Sequence, residues 1–274
     1  MDTRDGSKLT MSLRLMMIEH LSASAINKWN RCHRMFQYKY VDRVDIEQEE
    51  SDHIYLGNVV HESIENILNE HGVQGNEDVV LELLRDEAEQ LHSEYPYDRS
   101  EFEEQAQTCL ETASRFLADI PGIKDIEERW TMQDNQFQNI EWVGYSDLVM
   151  SNDTIVDWKT GNVMSDQKEL VQSGVYAKLF ENEYGYEPDT VMFLYLREEE
   201  GSKHSKDSNA AIWKNYWENI HDTAKKIVRA EKTKDEFEAT PKEQSVCHWC
   251  DYKGICSEYV GAEKVKPHNI SFKL

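Results

Sequence analysis

The sequence predicts an α/β protein, with helices around a mixed α+β sheet, on three observations. Apolar residues recur at helical spacing up to Pro121, the period shortens to two from Ile126, and helical spacing returns after Lys159 before a further strand-like run.

Ser22 and Ser24 are candidate N-caps for a helix whose apolar face carries Ile26, Trp29, His33, Phe36 and Tyr40, with Cys32 flanking it. An irregular acidic stretch from Asp42 to Asp52 leads to a second helix near Gly57. Val60, Ile64, Ile67 and Leu68 face inward there, and His61 sits on the first turns. Amphipathic helices follow at Asp78–Ser93 and Ser100–Asp119; the stripe Phe102, Ala106, Cys109, Ala113, Phe116 makes Cys109 a core residue. Pro121-Gly122 breaks this run. Ile126, Glu128, Trp130 and Met132 then alternate with Glu127, Arg129 and Thr131 as a strand. Strands at Asn139–Met150 and Thr154–Lys159, a helix at Gln167–Glu183 and a strand at Thr190–Arg197 complete the sheet region. A polar loop from Glu198 to Asn209 and a long helix ending near Lys232 follow. The expected organisation is a flexible tail (1–20), a helical region (21–122), a sheet-bearing core (123–235) and a cysteine-rich end (236–274), forming one compact unit.

The 274 residues are 39% hydrophobic and 30% charged, which suits a globular chain. The apolar run Leu13–Ile18 is interrupted by Arg14 and too short for a signal peptide or a membrane span, so a cytoplasmic protein with no membrane partner is expected. Met11, Met16 and Met17 offer translation starts downstream of Met1. A net charge of −23 argues against a phosphate-rich partner, unless salt screening leaves local charge in control. Two basic clusters exist, Lys28, Arg31, Arg34, Lys39 and Lys225, Lys226, Arg229, Lys232, Lys234; a solvated helix face is the better explanation of them.

Ser151-Asn152-Asp153 is a turn between two strand-like runs and predicts an antiparallel hairpin. With Asn152 at its centre, Asp147 falls opposite Asp157. Facing carboxylates repel unless a cation lies between them, and hard oxygen ligands suit Mg²⁺ or Mn²⁺. Alternation puts Lys159 on the face of Asp157 and turns Val156 and Trp158 to the buried side. Two carboxylates, a divalent cation and a lysine that can orient water or stabilise a pentacovalent phosphate are the equipment of phosphodiester hydrolysis.

V-G-Y-S-D-L-V-M followed by I-V-D-W-K-T-G resembles the second and third motifs of RecB-like PD-(D/E)xK nucleases. G-N-V-V-H-E and Q-S-G-V-Y fall where that family carries its histidine and its Q-x-x-x-Y motif. The resemblance implies a restriction-endonuclease-like core. It makes Asp147, Asp157 and Lys159 catalytic, and it implies metal ligation by His61, Asp147, Asp157 and the Trp158 carbonyl. Gln172 and Tyr176 would line a DNA-binding site.

Five cysteines without an export signal point away from disulfides. Cys247-x-x-Cys250-x₅-Cys256 packs three soft ligands into ten residues, Cys32 is available as the fourth, and ligand chemistry admits either Zn²⁺ or an iron–sulfur cluster. His248 could replace a cysteine, though a bystander is the simpler role. One cysteine before the core and three after it resembles the iron–sulfur staple of AddB-type nucleases and CRISPR-associated RecB-like exonucleases, which implies a [4Fe-4S] cluster clasping the two ends of the chain. No G-x-x-x-x-G-K-[ST] loop is present, so unwinding would fall to a partner helicase. The expected function is an exonuclease acting on single-stranded DNA or DNA ends, in repair, recombination or CRISPR adaptation. A non-catalytic DNA-end-binding module of an integrase complex and a small zinc-binding interaction protein are the alternatives.

Overall fold

A computed structural model describes residues 18–46, 52–72, 76–92, 99–137, 140–198, 200–205, 211–233, 237–239, 244–248 and 250–259. Most of the expected tail and parts of the acidic stretch and polar loop lie outside them, as does the side chain of Phe102. None of the helices among the described residues is long and apolar enough to cross a membrane.

The elements run β1 (His20–Leu21), α1 (Ala23–Arg31), α2 (His33–Phe36), a π-helical turn (Gln37–Val41), α3 (Asp52–His71), α4 (Glu77–His92) and α5 (Arg99–Ala118). Then come β2 (Ile123–Gln133), β3 (Glu141–Met150), β4 (Thr154–Lys159), α6 (Asp166–Tyr184), β5 (Thr190–Tyr195), β6 (Glu200–Ser205), α7 (Ile212–Thr233) and α8 (Gln244–His248). The sheet is mixed, ordered β1-β3-β4-β5-β6 with β2 pairing β3. β4 and β5 are parallel, joined through α6, while β3–β4, β2–β3 and β5–β6 are antiparallel.

Two cores flank the sheet. On one face α1, α6 and α7 cover Trp142, Val149, Ile155, Val191 and Phe193. On the other α3, α4 and α5 cover Leu148, Met150, Val156, Trp158 and Met192, and Cys109 is fully buried there as expected. Close helix–helix approach on the first face depends on Gly174. A Cβ there would stand 2.5 Å from Ile220 Cδ1 and 2.8 Å from Tyr216 Cβ. Gly174→Ala is therefore expected to cost about 1–3 kcal/mol through overpacking, measurable as a lowered denaturation midpoint.

The structure corrects two expectations and adds one short strand. The first helix is not continuous through Tyr40: Ser22 caps α1, accepting from the Ala25 amide at 3.2 Å, and the chain breaks at Cys32, whose backbone is extended. Periodicity missed this because Trp29 and His33 still stack, ring centroids 3.8 Å apart, across the break. The segment expected as a polar loop contains β6, paired along the whole of β5. Its sequence E-G-S-K-H-S has no apolar alternation, as suits an edge strand. β1 is two residues long and left no sequence signal.

Candidate active site

The hairpin forms in the expected register, with Leu148 facing Val156 and Val149 facing Ile155. Its turn holds Asp153 at φ 58°, and the Asp153 amide donates to the Met150 carbonyl at 3.0 Å. Beyond Leu148–Val156 the β3–β4 ladder stops. The Trp158 amide, the next donor facing β3, goes to Asp147 Oδ2 at 2.6 Å instead of a backbone carbonyl. On the other edge of β4 the Lys159 carbonyl accepts from the Leu196 amide at 2.8 Å. Peptide groups alternate along a strand, so the Trp158 carbonyl is directed back between β3 and β4. The two strands thus form a fork with carboxylates in its crotch.

α6 supplies one wall of this fork. Asp157 is 3% exposed; its Oδ1 accepts from Gln172 Nε2 at 2.8 Å and Tyr176 OH at 2.6 Å, while Oδ2, shut away from solvent, faces the Lys159 ammonium. Burial pushes the Asp157 carboxyl up, opposed chiefly by Lys159, and Asp147 pushes it the same way as burial. Gly144 lets α6 sit this close: a Cβ there would lie 2.6 Å from Leu179 Cδ1 and 3.6 Å from the Tyr176 ring. Removing the phenol oxygen in Tyr176→Phe takes a donor from a buried carboxylate. A loss of about 1–3 kcal/mol is expected, read as a lower midpoint in urea. One turn earlier on α6, buried Glu169 accepts from Tyr195 OH at 2.6 Å; sequence reasoning did not single it out.

α3 supplies the other wall. His61 Nδ1 lies 3.6 Å from Asp147 Oδ2. Burial alone would lower the imidazole pKa, but the hydrogen bond and charge of Asp147, together with Asp157 and Glu127, hold it above its usual value. Glu127, placed by its sequence in the alternating strand but given no role there, joins this group. Ligand atoms of His61, Glu127 and Asp147 lie within 4.8 Å of one another. Burial, then Asp147 and Glu65, push the Glu127 carboxyl up to about 7. Its backbone φ of 48° was invisible to a period count. Buried or half-buried carboxylates with a histidine form a donor set suited to a divalent cation, beside the Lys159 ammonium.

The four cysteines Cys32, Cys247, Cys250 and Cys256 line a single pocket with Arg34, Met35, Tyr38 and Tyr252. The extended backbone at Cys32 interrupts the helix at this pocket. Cys250 and Cys256 are set on turns closed by Cys250 N to Cys247 O at 3.2 Å and Cys256 N to Tyr252 O at 3.0 Å. Burial first, and the neighbouring thiols as well, raise the pKa of Cys247 and Cys250, so a bound soft cation would relieve the crowding of thiolates. Part of the N-terminal basic cluster serves this region: Arg31 donates to the Val246 carbonyl at 3.5 Å and Lys28 lies 3.9 Å from Asp251.

A mixed sheet whose central hairpin forks around Asp147, Asp157 and Lys159, walled by His61 and by Gln172 and Tyr176, has the layout of a restriction-endonuclease-like nuclease fold. The chain belongs to the PD-(D/E)XK nuclease superfamily, whose family model matches residues 20–257. No curated protein matches it. In fold it is similar to a provisionally named exonuclease from Eubacterium rectale, with a TM-score of 0.56 and 14% identity over 90% of this chain and 94% of that one. The crystal structure of SSO0001 aligns over 87% of this chain and 96% of that one at 12% identity, but its TM-score of 0.34 is too low to bear on the fold.

Proposed function

We propose that the protein is a Mg²⁺- or Mn²⁺-dependent deoxyribonuclease that works as an exonuclease on single-stranded DNA or DNA ends. The fork carries this reading: Asp147 stands between the His61–Glu127 side and the Trp158–Asp157 side, with Lys159 against Asp157. Family membership supplies the reaction class, and the fold relative provisionally named an exonuclease supports action from an end.

In this reading Asp147, Asp157, His61 and the Trp158 carbonyl would hold the cation, which would polarise the scissile phosphate and favour deprotonation of the attacking water. Lys159, anchored by Asp157, donates to the water or to a non-bridging phosphate oxygen as negative charge builds there. The water oxygen bonds to phosphorus as it gives up a proton to solvent, the bond from phosphorus to the leaving deoxyribose oxygen breaks, and that oxygen takes up a proton from solvent. Gln172 and Tyr176 fix Asp157 from behind and line the wall past which the strand runs. Cys32, Cys247, Cys250 and Cys256 hold a [4Fe-4S] cluster, or Zn²⁺ in its place, as a structural clasp. The physiological setting is DNA repair, recombination or CRISPR adaptation, alongside a helicase or integrase proteins.

The test is digestion of end-labelled linear single-stranded DNA beside a closed circle of the same sequence, with Mg²⁺ or Mn²⁺. Loss of label from the linear strand, an intact circle and no activity in Lys159→Ala are expected. Cutting of the circle would rule out a strict exonuclease. Activity in chelator, or in Lys159→Ala, would overturn the catalytic assignment.

A further inference from the structure

We infer that Glu127 is a ligand of the divalent cation, completing a position with His61 and Asp147 that the sequence motifs do not describe. The inference rests on the nuclease reading of Asp147 and extends it to a residue from a different strand.

Three independent observations converge. The first is spacing, since the ligand atoms of His61, Glu127 and Asp147 all lie within 4.8 Å of one another. The second is a dislocation of the sheet at this point. Ile126 faces Leu148 and both belong with the core under α3–α5. Trp130 faces Gly144, and both lie against the opposite, α6 side. Four residues separate each member of one pair from its counterpart, an interval that in a regular strand keeps side chains on one face. Here both strands change face together, and the pairs on either side, Ile126–Leu148 and Glu128–Ser146, leave Glu127 and Asp147 opposite each other at the change. Glu127 takes up the irregularity with φ 48°, a conformation that a non-glycine residue rarely adopts in mid-strand. Relaxation to ordinary strand geometry would carry its carboxylate away from His61, and strain of this kind concentrates at functional sites.

The third observation concerns Asp157. Its Oδ1 already accepts from Gln172 and Tyr176, and its Oδ2 faces Lys159. Asp157 is thus partly engaged, and a cation seated at His61 and Asp147 would find a further carboxylate within reach on Glu127. The site draws on α3, β2, β3 and β4, with Glu127 and Asp157 bracketing Asp147.

The test is Mn²⁺ binding to the full chain, without nucleic acid, by calorimetry and by the electron paramagnetic resonance of free Mn²⁺. Glu127→Gln is expected to weaken Mn²⁺ binding about tenfold or more, since even outer partners of metal ligands cost about 10–100-fold when removed. The exposed neighbour in Glu128→Gln leaves the affinity at the wild-type value. Glu127→Gly separates ligation from folding. Glycine suits the positive φ, so the metal-free melting temperature stays level or rises while Mn²⁺ affinity falls as in Glu127→Gln. Wild-type affinity in Glu127→Gln beside lost affinity in Asp147→Asn would overturn the inference and leave the nuclease reading standing. Wild-type affinity in both would overturn the two together.

Discussion

Asp147→Asn is expected to lower the rate of DNA hydrolysis by about three orders of magnitude or more, about 4 kcal/mol of transition-state stabilisation, with little change in the melting temperature of the metal-free protein. The asparagine carbonyl oxygen can still accept from the Trp158 amide, now bonded to Asp147 Oδ2 at 2.6 Å, so the fork keeps its closure. What disappears is the negative charge facing His61 Nδ1 at 3.6 Å and the Glu127 carboxylate. The imidazole also loses the partner that holds its pKa up, and a neutral amide binds a hard cation poorly. Single-turnover kinetics at saturating Mn²⁺, beside a thermal melt, separates the two effects. A variant within a few fold of wild type would remove Asp147 from the chemistry, and a large fall in melting temperature would make it a structural residue.

The reasons that made Asp147 findable also explain what was not. The hairpin was legible because a three-residue turn of Ser151, Asn152 and Asp153 fixes its centre, and the pairing of Leu148 with Val156 depends on nothing distant. β4 keeps strict alternation, so Asp157 and Val156 fall on opposite faces as counted. β2 and β3 do not, and a period of two gave Glu127 no part in the site because no sequence rule marks a glutamate that adopts φ 48°. The break at Cys32 was hidden for a related reason. Local apolar spacing persists through it, and its cause is a pocket shared with residues more than 200 positions later. β6 failed to register because an edge strand can be polar on both faces.

The chain's net charge of −23 weighs on the substrate side of the proposal. Part of the N-terminal basic cluster holds the cysteine segment through Val246 and Asp251, and Lys225 is paired with Asp222 at 2.9 Å. Long-range attraction for DNA is therefore weak, and binding must draw on the cation and contacts close to the fork. That is consistent with the proposed enzyme capturing ends delivered by a partner, since steering by a distributed basic face would call for more net positive charge than a chain of −23 offers.

Replacing Cys250 or Cys256 with serine is expected to abolish the bound metal group and to cost about 5 kcal/mol, the chain entropy of leaving open a loop of about 215 residues between Cys32 and Cys247. The expected damage is local to the clasp before it is global. Met35, Val44 and Tyr252 form a small core there, packed by Cys32, Tyr38, Cys250 and Ile255, and it has too few apolar groups to hold without a cross-link. Tyr38 and Tyr252, with ring centroids 5.3 Å apart, would lose the pocket that orders them. α1 and α2 would stay attached through Trp29 and Phe36, whose rings pack edge-on with each other and edge-on and stacked with Phe237 inside the larger core, so the sheet and fork should survive at low temperature. Anaerobic purification with visible spectroscopy, metal analysis and thermal melts reads all of this. Iron and sulfide lost together from the variant, with a lower first melting transition, support a cluster clasp; zinc alone would assign the same four thiols to a single ion; and a wild-type protein free of both metals would remove the clasp altogether.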